Sequence, residues 1–177
     1  EEIFTWVFKL KDSENIYKGK SGGNRPVFGN NEVKAGNVTY KFSATDGTLA
    51  SVTTRKGDYK FDGGPKFFAY RRSDRSFDQF YNHDDPEAEK KKTTYTEYAD
   101  QGKFVSLTSK DGQNDTLIVT AEYALGSLQK AEWHIASDGG ARLFYTYNFN
   151  GVVDLMGVKF NLPESEVESK QWLGHGP

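Results

Sequence analysis

Apolar residues recur at every second position over much of this chain. That period fits a half-buried β-strand and not an amphipathic helix. Val38, Tyr40 and Phe42 alternate with Thr39, Lys41 and Ser43. The pattern returns in Leu117, Val119, Ala121, Tyr123 and Leu125, then in Ala131, Trp133 and Ile135. Leu143, Tyr145, Tyr147 and Phe149 repeat it, as do Met156, Val158, Phe160 and Leu162. Turn residues punctuate the runs at Asp46-Gly47, Asp62-Gly63-Gly64-Pro65, Asp111-Gly112 and Asp138-Gly139-Gly140. Strands joined by such short turns predict antiparallel pairing, so the expected class is an all-β antiparallel sandwich. The later strands, at about nine or ten residues, favour large sheets over a small barrel.

Other stretches depart from the alternation. Glu2 to Leu10 reads as a strand, and Lys11 to Asn31 has the Ser, Gly, Asn and Pro content of a linker. Thr48 to Thr54 returns from the first hairpin, with Leu49 and Val52 out of phase, which predicts a bulge or a strand end. Tyr59 and Phe61 make a further short strand. Lys66 to Lys92 is the least regular part and reads as a long loop, with a short helix from about Asp85 because Pro86 suits a first helical turn.

The absence of cysteine removes disulfides, thiolate zinc sites and cysteine nucleophiles together. Aromatic residues make up 15% of the 177 residues, far too rich for a disordered chain and enough for a real core. A net charge of −2 forces no basic face, so nucleic acid is not an expected partner. Lys90-Lys91-Lys92 follows Asp84, Asp85, Glu87 and Glu89 and reads as a solvated charged stretch. No apolar run approaches the ~20 residues that span a bilayer, so no membrane partner is expected.

Two segments carry a family resemblance. Gly36-Asn37-Val38-Thr39-Tyr40-Lys41-Phe42-Ser43, with Asp46-Gly47-Thr48-Leu49 and Ser51-Val52, forms one. Gly157-Val158-Lys159-Phe160-Asn161-Leu162-Pro163, then Gln171-Trp172-Leu173-Gly174-His175-Gly176-Pro177, forms the other. Together they resemble the C-terminal β-sandwich domain of family 2 glycoside hydrolases of the β-galactosidase type, from about Gly36 to Pro177. The lead-in Phe4-Thr5-Trp6 looks like the final strand of the immunoglobulin-like domain that precedes it in such enzymes. In place of the family's usual Trp-Arg-Ala-Pro-Thr-Asp-Asn-Asp segment the chain has Tyr70-Arg71-Arg72-Ser73-Asp74-Arg75. The resemblance implies a galactose-mutarotase-like supersandwich, present as an incomplete copy. Residues 1–31 would be the last strand of the preceding domain plus a linker, and residues 32–177 the first part of the supersandwich. It also implies that the acid and nucleophile glutamates lie on a separate barrel domain, so no catalytic residue is carried onto this sequence.

Candidate contact residues are weighed against plainer roles. Arg71, Arg72, Asp74, Arg75 and Asp78 form a dense charged cluster that suits sugar hydroxyls, although internal or interdomain ion pairing is preferred. His83 lies in Asn82-His83-Asp84-Asp85, a run of hard donors for which turn chemistry is the simpler account. Asp111, Gln113 and Asp115 echo the start of a calcium loop without its glycine and distal glutamate. Trp172 and His175 sit in the glycine-rich ending. His134, between Trp133 and Ile135, is expected on the polar face of its strand, where a mutarotase would place its acid or base. No cofactor is expected; calcium, magnesium or sodium are the ions that these oxygen donors would suit.

The expected function is a non-catalytic C-terminal module of a β-galactosidase-like glycoside hydrolase. It would brace the barrel and contribute to carbohydrate binding. The alternatives are a stand-alone carbohydrate-binding module and a mutarotase-like epimerase working through His134. The expected partners are carbohydrate, other domains of the same polypeptide, and a second copy of the chain, because a sandwich cut short exposes edges that pair. A periplasmic or extracellular setting is the expected location.

Overall fold

The structure is a computed structural model that describes residues 23–72, 95–98 and 102–166. The described chain is an antiparallel β-sandwich with a single turn of 3-10 helix at Glu164–Glu166.

The first sheet is a five-stranded meander. It runs β1 (Val27–Gly29), β2 (Glu32–Ala35), β3 (Val38–Phe42), β4 (Leu49–Thr54) and β5 (Gly57–Lys60), in that order. The end of the stretch read as linker forms β1 and a turn that leads into β2, and the turn residues Asn30 and Asn31 both take positive φ, 52° and 59°. Asparagine tolerates that conformation better than most residues, and two such residues in a row make a hairpin turn of matching twist. The irregularity expected in the next hairpin is present: Lys41 and Phe42 pair with Ser51 and Leu49, which leaves Ala50 of β4 as the extra residue.

The second sheet contains β8 (Lys103–Asp111), β9 (Leu117–Ala124), β10 (Leu128–Ile135) and β11 (Ala141–Tyr147), in the order β11-β10-β9-β8. The third has β6 (Lys66–Arg72) at its centre, flanked by β7 (Tyr95–Glu97) and β12 (Leu155–Lys159). Two expectations are corrected here. Lys66 to Arg72 is a strand and not the start of a loop. Phe67 and Ala69 are buried on one face while Phe68 and Tyr70 pair their rings at 5.5 Å on the other, so both faces are apolar and the period-two contrast disappears. Nor does β12 continue the meander; it pairs with β6. The helix expected from about Asp85 lies outside the described residues.

The first two sheets face each other. Val33, Ala35, Tyr40, Phe42 and Leu49 pack against Leu117, Val119, Trp133 and Ile135. Phe42 meets Trp133 edge-on at 6.2 Å, a favoured aromatic arrangement. Each buried side chain of this size contributes on the order of 1.5–3 kcal/mol. A second cluster of Phe67, Ala69 and Leu128 joins the third sheet to the end of the second. The place where the three sheets meet holds the site described next.

Candidate functional site

A cleft of about 400 Å³ opens at that junction. The β3–β4 turn contributes Asp46 and Thr48, the start of β6 Lys66 and Phe67, and β7 with the following residue Glu97 and Tyr98. Tyr123 of β9 and Lys159 of β12 complete the polar and aromatic lining.

Local sequence explains how each group is held. Asp46 Oδ1 accepts from the Thr48 backbone N–H at 3.2 Å and the Thr48 hydroxyl at 2.8 Å, a turn in which Asp stands in for backbone. Gly47 has φ +68°, and a Cβ there would lie 2.5 Å from the Phe104 ring, so glycine alone fits between the turn and β8. Gly64 performs a similar task for Lys159. A Cβ at Gly64 would fall 2.8 Å from the Lys159 carbonyl oxygen, and its absence lets β12 pass close by.

The charges are arranged as opposed pairs. Lys159 Nζ donates to Glu97 Oε1 at 2.6 Å. That bond is the main reason the Glu97 carboxyl sits below the usual carboxylate range, against the contrary effect of its slight desolvation. The same contact raises Lys159. For Asp46, burial favours the protonated form, but hydrogen bonds from Ser43 and Thr48 and the Lys66 charge outweigh it and hold the carboxyl low. Tyr123 behaves oppositely. Burial, followed by the nearby Asp46 charge, pushes its phenol up to about 12, and its hydroxyl is buried without a partner among the described residues.

Arg71 and Arg72 stand at the far end of β6, so Arg72 is roughly 16 Å along the strand from Phe67 and neither lines the cleft. The Arg72 backbone N–H donates to Asp154 Oδ2 at 2.7 Å and its guanidinium lies 4.0 Å from Oδ1, so this arginine is engaged within the fold. Asp74, His83, Trp172 and His175 lie outside the described residues. His134 occupies the polar face of β10 as expected, with its ring 4.6 Å from that of Phe144. It lines a hollow with Asp111, Gln113 and Thr116. Asp111 and Asp115, the acids of the calcium-like run, converge on Arg25, whose guanidinium lies 2.8 Å and 3.9 Å from them. Among the described residues no three histidine, aspartate or glutamate side chains gather as metal ligands.

Sequence inspection did not single out Asp46, Lys66, Glu97, Tyr123 or Lys159 as one site. They come from five separate stretches, and only the Asp46-Gly47-Thr48 turn carries a local signal. Neither a protein-family model, nor a curated protein, nor a solved structure matches this chain.

Proposed function

We propose that this chain is a non-catalytic β-sandwich module that contacts carbohydrate, of the kind carried by β-galactosidase-like glycoside hydrolases, and that the three-sheet cleft is its contact site. One observation carries the proposal: ammonium groups, ionised carboxylates and aromatic rings share the lining of a single cleft of about 400 Å³. That volume lies in the range of small-ligand sites, roughly 300–1,000 Å³. A neutral polyol both donates and accepts, so it suits Lys66 and Lys159 as well as Asp46 and Glu97.

The same groups argue against hydrolysis. Glycoside cleavage needs one carboxyl kept protonated to deliver a proton to the leaving oxygen. Asp46 and Glu97 are both held below the normal range, so both are ionised at neutral pH. Glu97 is moreover engaged by Lys159. Among the described residues the cleft has no carboxyl that is held protonated. In a longer polypeptide the bond-breaking pair would lie on another domain, which this module would brace.

Calorimetry with galactose, lactose and a plant galactan tests the proposal. Binding at millimolar or tighter Kd is expected, weakened at least about tenfold (1.4 kcal/mol) by Lys66→Ala and by Glu97→Gln. No heat across the panel would sink the contact role. Turnover of an aryl galactoside that survives repurification would sink the non-catalytic one.

A further inference from the structure

The outer face of the second sheet carries a cationic row. Strand register sets Lys110 of β8, Ile118 of β9, His134 of β10 and Arg142 of β11 opposite one another. Opposed residues share a face of the sheet, and neighbouring strands lie about 4.8 Å apart, so the row is about 14 Å long. Leu117 and Ile135, each one position from the row, are buried against the first sheet, so the row itself points outward. Lys110 and Arg142 are exposed, and the half-buried His134 lies between them. The acids nearest the row are engaged by other cations. Glu132, two positions from His134, lies 2.7 Å from Lys130, and Asp111 lies 2.8 Å from Arg25. The Phe144 ring stands 4.6 Å from the His134 ring and 5.6 Å from the Arg142 guanidinium, which holds both groups against the sheet.

We propose that this row and the hollow beside it form a second binding site, which takes a sugar bearing a carboxylate. The hollow, at the β8–β9 turn, measures about 520 Å³ and is lined by Gln113, Thr116, Ile118 and His134 together with Asp111. That volume suits a small ligand, for which roughly 300–1,000 Å³ is usual. Lys110 and Arg142 match a carboxylate by charge-assisted hydrogen bonds. The Gln113 amide and the Thr116 hydroxyl both donate and accept, as sugar hydroxyls require. The three-sheet cleft differs in kind, because there Lys159 is opposed by Glu97 at 2.6 Å. The inference rests on strand register and does not depend on carbohydrate contact at the cleft.

The His134 imidazole reports occupancy. Lys110 and Arg142 oppose its protonation, Glu132 favours it, and β9 brings only the uncharged Ile118 to the row. A carboxylate held in the row offsets the two cations and raises the imidazole. The probe is galacturonate, which is ionised above about pH 5. Galactose supplies the ring without the charge, and acetate the charge without the ring. The His134 resonance, identified by its loss in His134→Gln, is expected to titrate about 0.5 pH unit higher with saturating galacturonate. The Kd read at that resonance should then be roughly twofold tighter at pH 5.5 than at pH 7.5, as linkage requires. Galactose and acetate should act on it at least about tenfold more weakly. Lys110→Gln and Gln113→Ala, both at exposed positions, should each weaken galacturonate at least about threefold. An unshifted imidazole, equal shifts with galactose or acetate, or unchanged affinity in either variant would overturn the proposal.

Discussion

Tyr40 and Gly139 stand 99 positions apart in sequence and are joined by one interior hydrogen bond, the phenol hydroxyl donating to the Gly139 carbonyl at 2.5 Å. Tyr40 belongs to β3 of the first sheet, and Gly139 to the β10–β11 turn of the sheet facing it. The bond thus ties the two layers together at this turn. Tyr40→Phe keeps the ring and removes the donor. It leaves the Gly139 carbonyl without its partner, and such a loss costs roughly 1–3 kcal/mol when the group stays dry. Urea unfolding of the two proteins is expected to show a lower midpoint with an unchanged slope. An unchanged midpoint would mean that water replaces the phenol freely.

The two buried phenols predict a fall in stability at high pH. Burial, then the Asp138 charge, raises Tyr40, and burial, then Asp46, takes Tyr123 to about 12. In the unfolded chain both titrate near the ordinary value of 10.0. Above that pH the unfolded state sheds protons that the folded state keeps, so the stabilisation is intact below pH 10 and drains away as pH climbs toward 12. In Tyr123→Phe the decline over this window is expected to be shallower, as read from urea midpoints at stepped pH. Parallel curves for the two proteins would refute this account.

Gly139 is fixed by space as well as by φ. Its φ is +87°, and a Cβ there would lie 2.5 Å from Val38 Cγ2 and 3.1 Å from the Ala35 carbonyl oxygen. Gly139→Ala combines a left-handed backbone with an overlap, and about 2 kcal/mol or more of destabilisation is expected. Val38→Ala removes the atom that the new methyl meets. The double variant should therefore recover part of the loss, which appears as a coupling term in a double-mutant cycle. Strict additivity would show that backbone strain alone sets the cost.

How legible the fold was in the residues depended on whether one face of a strand differed from the other. Ala121 and Trp133 are buried while their neighbours Glu122 and His134 are not, and those strands could be read directly. Phe67, Phe68, Ala69 and Tyr70 gave no contrast, because β6 is central to its sheet and packs apolar groups on both faces. Asn30-Asn31 looked like linker because hairpin turns and linkers draw on the same residue types. The cleft was less visible still. Lys159 and Glu97 form an ion pair across 62 positions, and nothing local to either marks the other. Turn chemistry at Asp46 could be read in place, but its role in the cleft follows only from the meeting of three sheets.

His134 gives the last prediction, on the acid side. Its imidazole is held below the ordinary value of 6.5, first by partial burial and then by the positive charges of Lys110 on β8 and Arg142 on β11. Glu132, on its own strand, acts in the opposite direction but is itself engaged by Lys130 at 2.7 Å. The unfolded chain takes up a proton at this histidine near pH 6.5, before the folded chain does. The sign is therefore opposite to that of the tyrosines: the stabilisation is complete above pH 6.5 and is lost as pH falls through the folded value. His134→Gln should flatten the stability profile on that side of neutrality. The imidazole resonance that disappears in His134→Gln should titrate in the folded protein with a midpoint under 6.5. A midpoint at or above that value would show that Glu132 governs the site, and His134 would then be cationic under mildly acidic conditions.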